Sequence, residues 1–309
     1  MPRATVTSTN PSSIELEYET FGSPDDPALL LVMGFGAQLI AWDVGLCEQL
    51  AARGRFVIRF DNRDVGLSTH LDGQAVDPMA VMSASLGGTE LPPVPYTLSD
   101  MASDAVGLLD HLSIERAHIV GASMGGMIAQ TIALEHADRC LSLTSVMSST
   151  GDPRAGKPTP EALAVLMTKP PTERDAFIAN ADRVAVIASK KFFDPARARE
   201  RAAASFDRSF YPEGLTRQLA AIYASGDRTE RLADLTVPTL VIHGRDDTLI
   251  TPSGGTLTAE AIPEASFLLV AHMGHDLPEP LWPVLVDAVI SHTVYATTGA
   301  ATPTATATV

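Results

Sequence analysis

Residues 121–125, Gly-Ala-Ser-Met-Gly, place a serine between two glycines where the hydrophobic pattern of the chain changes. Residues 117–120 form a short apolar stretch that predicts a buried strand, and residues 127–134 carry apolar side chains at helical spacing. A serine on a sharp turn between a strand and a helix has a strained backbone, and its hydroxyl points away from the sheet. The glycines permit such a turn because a side chain would collide with the neighbouring elements. Ser123 is therefore predicted to be a nucleophile.

This nucleophile needs a general base, because a serine hydroxyl is poorly reactive near neutral pH. Residues 271–276, Ala-His-Met-Gly-His-Asp, follow a predicted strand and contain two candidates, His272 and His275. We favour His275, because the preceding glycine lets the loop turn this side chain back over the carboxyl edge of the sheet. His272 lies closer to the strand and remains the alternative base.

The base in turn needs an acidic group that orients its imidazole ring. Asp246 and Asp247 follow the predicted strand 239–243, with Gly-Arg as the exit turn between them and the strand. Asp247 is the preferred acid, while Asp246 fits a turn residue that caps backbone N–H groups. Asp152, just past the predicted strand 141–149, is a rival position for the acid.

A tetrahedral intermediate at Ser123 would also need hydrogen-bond donors for its negatively charged oxygen. The backbone N–H of Met124, at the start of the following helix, is one candidate. The second is the backbone N–H of Phe35 in the loop Met-Gly-Phe-Gly after the predicted strand 28–33. The flanking glycines let that backbone approach a substrate, although a plain glycine-rich turn is the alternative interpretation.

Predicted strands and helices alternate along most of the chain, which indicates an α/β domain with a mostly parallel sheet and helices on both faces. The predicted strands are 14–19, 28–33, 56–60, 117–120, 141–149, 239–243 and 266–270, and the predicted helices between or after them include 42–53, 98–112 and 280–294. The histidines His111, His118 and His136 are assigned to helices or their flanks and His243 to a strand, all as structural residues.

Residues 151–230 interrupt this alternation, because their pattern predicts helices only. The predicted organisation is a core of residues 1–150 and 231–295, a helical cap or lid of residues 151–230, and a flexible tail of residues 296–309. Predicted helix starts are Pro160, Thr172 as an N-cap, Asp194 with Pro195, and Pro212. The seven aromatic residues of the insertion are expected to form lid core more than substrate contacts. The insertion carries 13 Lys and Arg against 11 Asp and Glu, so the strong acidity of the chain belongs to the rest.

Composition excludes several classes of protein. The formal net charge of −15 argues against nucleic-acid binding, which needs clustered Lys and Arg. No apolar run reaches the 18 residues of a membrane span, and the first residues contain no apolar signal core, so we expect a cytoplasmic protein. The two cysteines, Cys47 and Cys140, lack metal-ligand spacing and are interpreted as small core residues.

The combined motifs resemble the α/β-hydrolase superfamily over nearly the whole chain. They are the Leu-Val-Met-Gly of residues 31–34, the Asp-Asn-Arg-Asp-Val-Gly-Leu-Ser of 61–68, the serine turn of 121–125, the His-Gly-Arg-Asp-Asp of 243–247 and the Met-Gly-His-Asp-Leu-Pro of 273–278. Within the superfamily they are most similar to aclacinomycin methylesterase-like hydrolases. The resemblance implies hydrolysis of a carboxylic ester through a Ser123, His275 and Asp247 triad and an acyl-enzyme, without a metal or organic cofactor. Many superfamily members have His where this chain has Met33, a difference that leaves the backbone donors intact.

The expected substrate is a small to medium hydrophobic ester, with a methyl ester as one form. An acyltransferase, a cofactor-free perhydrolase or haloperoxidase, or a lactonase could use the same three residues, and the sequence does not separate them. A non-catalytic binding protein on the same fold is a third class, disfavoured because all three residues are present. The 61–68 motif is interpreted as a hydrogen-bonded turn that supports the site.

Overall fold

The computed structural model describes residues 2–8 and 12–298 and contains eight β-strands and eleven α-helices within them. The strands are β1 (Arg3–Thr7), β2 (Ser13–Phe21), β3 (Ala28–Val32), β4 (Phe56–Phe60), β5 (Ala117–Ala122), β6 (Cys140–Val146), β7 (Thr239–Gly244) and β8 (Ser266–Val270). The helices are α1 (Val44–Ala51), α2 (Pro78–Gly87), α3 (Leu98–His111), α4 (Met124–Glu135), α5 (Pro160–Leu166), α6 (Arg174–Asn180), α7 (Pro195–Arg208), α8 (Glu213–Ala224), α9 (Thr229–Leu232), α10 (Ser253–Ala261) and α11 (Trp282–Thr298).

All eight strands form one sheet in the order β1-β2-β4-β3-β5-β6-β7-β8. The pairs β1–β2 and β2–β4 are antiparallel, and every other neighbouring pair is parallel. Strands β3, β4 and β5 are buried along their whole length because helices cover both faces, which explains their continuous apolar sequence. The predicted mostly parallel α/β sheet is confirmed, and the parallel strands direct their carboxyl ends to one edge.

Three elements were not expected from the sequence. Strand β1 is short and mostly polar on its exposed face, and its register comes from antiparallel pairing with β2. Helix α2 has the start signals of Asp77 as N-cap and Pro78 at the first turn, yet its apolar residues surround the helix without a polar face. Helix α9 has only four residues. The helix predicted to begin after an N-cap at Thr172 is instead α6, whose N-cap is Glu173, and a 3-10 helix, Ala181–Val186, follows it.

The five helices α5 to α9 lie between β6 and β7, and the described residues 147–238 contain no strand. Within this inserted segment α6 and α7 bury no residue, whereas half of α8 is buried. A Cβ on Gly214, at the start of α8, would lie 2.0 Å from the carbonyl oxygen of Asp64. Helix α8 is therefore packed directly on the backbone of the 61–68 motif, and α6 and α7 form the outer part of the segment.

Arginines of the inserted segment pair with aspartates of the 61–68 motif. Arg217 on α8 donates two hydrogen bonds of 2.8 Å to the carboxylate of Asp64, and both side chains are buried. Arg208 at the end of α7 lies 2.7 Å from the Asp61 carboxylate, which also accepts the N–H groups of Leu39 and Leu67. The interpretation of this motif as a hydrogen-bonded supporting turn agrees with these contacts. Part of the Lys and Arg content of residues 151–230 is thus explained, because these arginines pair with carboxylates of the acidic core.

The C-terminal helix extends farther than the sequence predicted. Helix α11 continues to Thr298, the last described residue, past the predicted end near Val294, and Ala296 packs into the core. Residues 296–298 therefore belong to a helix and not to the expected tail, and residues 299–309 lie outside the described residues. Across the described part of the chain, the helices are too short or too polar to cross a membrane.

His118 lies in strand β5, in agreement with the strand predicted for residues 117–120, and its separate assignment to a helix or helix flank was wrong. Its side chain is buried, with Nδ1 2.8 Å from the Ser142 hydroxyl, and Nε2 has no partner among the described residues. Burial disfavours the charged imidazolium and lowers the pKa of His118 to about 4.

We expect removal of Arg217 to destabilise the fold strongly, because Asp64 would remain buried without its counter-charge. Arg217→Met should lower the free energy of unfolding by about 3–5 kcal/mol in urea titrations. Arg174→Met is the matched control, since Arg174 pairs with Asp207 at the surface and both side chains are about half exposed. The control should keep the wild-type midpoint, and equal midpoints for both variants would contradict this account of α8.

The buried His118 should make the protein less stable as the pH falls from about 6.5 to about 4. In that range the unfolded chain binds a proton at this residue and the folded chain does not, so acid favours unfolding. His118→Asn keeps an oxygen near Ser142 but removes the titrating group. The slope of unfolding free energy against pH should become shallower by at most about 1.4 kcal/mol per pH unit. An unchanged slope would contradict the prediction.

Candidate active site

Ser123 lies at the turn between β5 and α4 with φ 57° and ψ −122°, a conformation that non-glycine residues rarely adopt. Hydrogen bonds hold this backbone on both sides. The Ser123 N–H donates to the Val146 carbonyl at 2.9 Å, and its own carbonyl accepts the N–H groups of Gly126 and Met127 and the Ser148 hydroxyl. These bonds compensate the strain, and they fix the serine at the carboxyl edge of the sheet.

The glycines on either side of the serine are required by close packing. A Cβ on Gly121 would lie 2.0 Å from the Gly125 carbonyl oxygen, and a Cβ on Gly125 would lie 2.0 Å from the Val32 carbonyl oxygen. Backbone atoms cannot move aside as a flexible side chain can. Any larger residue at either position would therefore push α4 away from β5 or β3.

The structure brings together the three residues that the sequence selected. The Nε2 atom of His275 is 2.9 Å from the Ser123 hydroxyl oxygen, and its Nδ1 atom is 2.7 Å from Oδ2 of Asp247. Asp247 is buried, and its other oxygen accepts the N–H groups of Leu249 and Ile250 at 2.9 and 3.0 Å. The carboxylate orientation is therefore set by its own loop, and the imidazole lies between a hydroxyl and a fixed carboxylate.

The alternative acid and base positions lie elsewhere. His272 is exposed, has a left-handed backbone with φ 64°, and directs its ring edge-on toward Phe192. Asp152 is bound by the Arg154 guanidinium and the Arg154 N–H. Asp246 donates its N–H to the Met273 carbonyl and stays partly exposed, in agreement with a turn residue.

The loop after β3 approaches the serine closely. A Cβ on Gly34 would lie 3.0 Å from Cβ and 3.5 Å from the hydroxyl oxygen of Ser123. Among the described residues the backbone N–H groups of Phe35 and Met124 have no hydrogen-bond acceptor, and the Gly36 N–H donates to the side chain of Gln218 at 2.8 Å. Two free donors thus flank the region of the serine, and Gln218 is a contact that the sequence did not indicate.

A short strap of the inserted segment, residues 186–189, holds the loops that carry Asp247 and His275. The Thr248 hydroxyl donates to the Val186 carbonyl at 2.8 Å, and the His275 N–H donates to the Ile187 carbonyl at 2.7 Å. Gly274 is needed here, because its Cβ would lie 2.4 Å from the carbonyl carbon of Ala188.

Asp276 completes the contact between the strap and the histidine loop. Its carboxylate accepts the Ser189 N–H at 2.9 Å, while burial raises the pKa of Asp276. The sequence gave no signal for the strap, whose contacts join residues 62 to 88 positions apart.

His243 is a second buried imidazole beside the acid. Its Nε2 atom lies 2.8 Å from the Ile250 carbonyl and 3.6 Å from Oδ2 of Asp247. Burial lowers the pKa of His243, so this ring stays neutral. Its Nε2–H group donates a hydrogen bond to the Ile250 carbonyl. His243 therefore leaves the Asp247 carboxylate available to His275.

The arrangement can move a proton from the serine hydroxyl to the imidazole while the carboxylate stabilises the charged ring. In residues 2–8 and 12–298 there is no group of three or more His, Cys, Asp or Glu side chains arranged to hold a metal ion. The chemistry that this geometry supports is attack by an activated hydroxyl.

Comparison with known proteins assigns most of the chain to one protein family, the one that the sequence motifs resemble. Residues 27–279 match the α/β hydrolase fold family. Rhodomycin D methylesterases from a Streptomyces species and from Streptomyces peucetius are 28% and 27% identical to this chain, over 96% of it and 100% of each relative. The crystal structure of the enol-lactonase from Burkholderia xenovorans has a similar fold, with a TM-score of 0.70 and 23% identity over 95% of this chain and all of that one. With the serine turn, the sheet order and the family match, the chain belongs to the α/β-hydrolase family.

Proposed function

We propose that this protein hydrolyses carboxylic esters through an acyl-enzyme on Ser123. The observation that carries the proposal is the chain of hydrogen bonds from the Ser123 hydroxyl through His275 to Asp247, at 2.9 and 2.7 Å. Geometry of this kind activates a serine, because the base lies within hydrogen-bond distance of the proton that it must accept.

In the proposed first step the serine oxygen attacks the ester carbonyl carbon, and His275 takes the serine proton. Asp247 holds the ring in the required tautomer and stabilises the imidazolium. The N–H groups of Phe35 and Met124 would bind the developing oxyanion, and His275 then gives its proton to the departing alcohol. Water activated by His275 releases the acid in the second half of the reaction.

The proposed substrate is a hydrophobic ester of small to medium size, with a methyl ester as the first candidate. Two relatives that span 96% of this chain are named as rhodomycin D methylesterases, which supports methyl-ester cleavage as a class.

Residues 151–230 are proposed to act as a cap over this site, attached to a core of residues 1–150 and 231–295. Three aromatic rings of the outer part, Phe177, Phe206 and Phe210, pack on one another with centroids 4.6–5.6 Å apart. This mutual packing supports the expectation that they hold the cap together. Helix α8 and the strap would form the fixed part of the cap, because they are bonded to the loops of the site.

We expect Ser123→Ala to abolish ester hydrolysis, because the Ser123 hydroxyl is the group that lies within hydrogen-bond distance of His275 Nε2. With p-nitrophenyl acetate, butyrate and octanoate, kcat should fall by about 10⁴-fold or more while the circular dichroism spectrum stays that of the wild type. The preferred chain length would give the size of the acyl pocket. Turnover that survives in the variant would contradict an acyl-enzyme on Ser123.

The two histidines of the same loop offer a matched pair. His275→Asn should lower kcat/KM by about 10³-fold or more, because the serine loses its base. His272→Asn should stay within about threefold of wild type, since Asn tolerates the left-handed backbone at that position. Comparable losses of kcat/KM in both variants would mean that the substitutions disturb the fold of the loop, and this result would contradict the assignment of His275 as the base.

A further inference from the structure

Helix α8 touches the loop that carries Phe35 at two points. The first is a steric contact, in which a Cβ on Gly36 would lie 2.3 Å from Cδ2 of Leu215. The second is Gln218, which is fully buried and uses both ends of its amide. Its oxygen accepts the Gly36 N–H at 2.8 Å, and its NH₂ group donates to the Arg63 carbonyl at 2.9 Å. The amide is therefore fixed in one orientation by the core.

Three consecutive peptide groups of this loop each have one hydrogen bond that orients them. Asn62 donates its side-chain N–H to the Met33 carbonyl at 2.9 Å, which orients the peptide before Gly34. The Ala37 N–H donates to the Gly34 carbonyl at 3.3 Å, which orients the peptide that contains the Phe35 N–H. The Gln218 oxygen orients the next one through the Gly36 N–H.

This loop is a four-residue turn with Gly36 in the left-handed region at φ 66°, as in a type II turn. Type I and type II turns differ by rotation of the central peptide, here the one between Phe35 and Gly36. The Gln218 oxygen holds that peptide with its N–H toward α8. Without this acceptor the central peptide can rotate about ψ of Phe35 and φ of Gly36. The turn then also loses its hydrogen bond to α8, so the whole turn, with the Phe35 N–H, can shift relative to Ser123.

We propose that Gln218 is a positioning residue that fixes the Phe35 N–H for oxyanion binding from the inserted segment. The inference rests on the proposed esterase mechanism and adds a group that contacts neither the substrate nor the triad. It means that oxyanion stabilisation in this enzyme depends on the docking of α8, which contributes a residue 182 positions away from the loop.

Gln218→Met tests the proposal, because it removes the acceptor while filling a similar volume. With p-nitrophenyl butyrate, kcat should fall by about 10- to 100-fold with KM within about threefold, since the donor is displaced and not deleted. Butylboronic acid is the second probe. The serine oxygen adds to boron and the serine proton passes to His275, giving a tetrahedral boronate that mimics the intermediate. Its inhibition constant should rise by a factor similar to the loss of kcat.

Gln130→Met is the matched control, because Gln130 is also fully buried and joins the core to the inserted segment through Arg228 and Ser145. It does not contact the loop, so kcat and the boronate inhibition constant should stay near the wild-type values. Equal effects in both variants, or no effect of Gln218→Met on either quantity, would overturn the proposal.

Gln218→Glu provides the test if Gln218→Met does not fold. Burial favours the protonated carboxyl group, which keeps an oxygen for the Gly36 N–H and an O–H for the Arg63 carbonyl. The values of kcat and of the boronate inhibition constant should therefore remain within about threefold of wild type, and a loss of tenfold or more would overturn the proposal. Failure of the underlying mechanism has a different signature. Wild type would resist the boronic acid and Ser123→Ala would keep its activity, which would remove the basis for the role of Gln218 as well.

Discussion

The left-handed backbone of Ser123 is the constraint that the rest of the site is built around. This conformation directs the hydroxyl out from the sheet edge, and it persists because Gly121 and Gly125 let α4 pack against β5 and β3 at backbone contact distance. The parallel order of the strands then brings the loops after β3, β7 and β8 to the same edge. Each loop places one group beside the serine: the backbone N–H donor, the carboxylate or the imidazole. The positions of these groups relative to the serine therefore depend on the close packing at Gly121 and Gly125.

The inserted segment also holds the loops of the site in place, and its helices fall into two groups. Helix α8 and the strap of residues 186–189 bond directly to the loops of the site, while α6 and α7 bury nothing of their own. The buried pair of Arg217 with Asp64 anchors α8 where a carboxylate would otherwise be unpaired.

The features that could be predicted from the sequence are those that short local patterns encode. Ser123, Asp247 and His275 were identifiable because each follows a strand of clear apolar character and lies next to glycine or turn residues. Helix α2 was not predicted because it lacks a polar face. The buried contact of His118 with Ser142 was not predicted because it joins β5 to β6. Gln218 and the strap carried no signal, since their roles exist only through contacts between residues far apart in the chain.

The most direct test of the central claim is to trap the covalent intermediate. The enzyme is mixed with p-nitrophenyl butyrate, quenched in acid within the first turnovers, digested and examined by mass spectrometry. The account predicts one butyryl group on the peptide that contains Ser123 in wild type and none in Ser123→Ala. Butyrylation of a different residue, or wild-type turnover without any adduct on Ser123, would contradict the proposed mechanism.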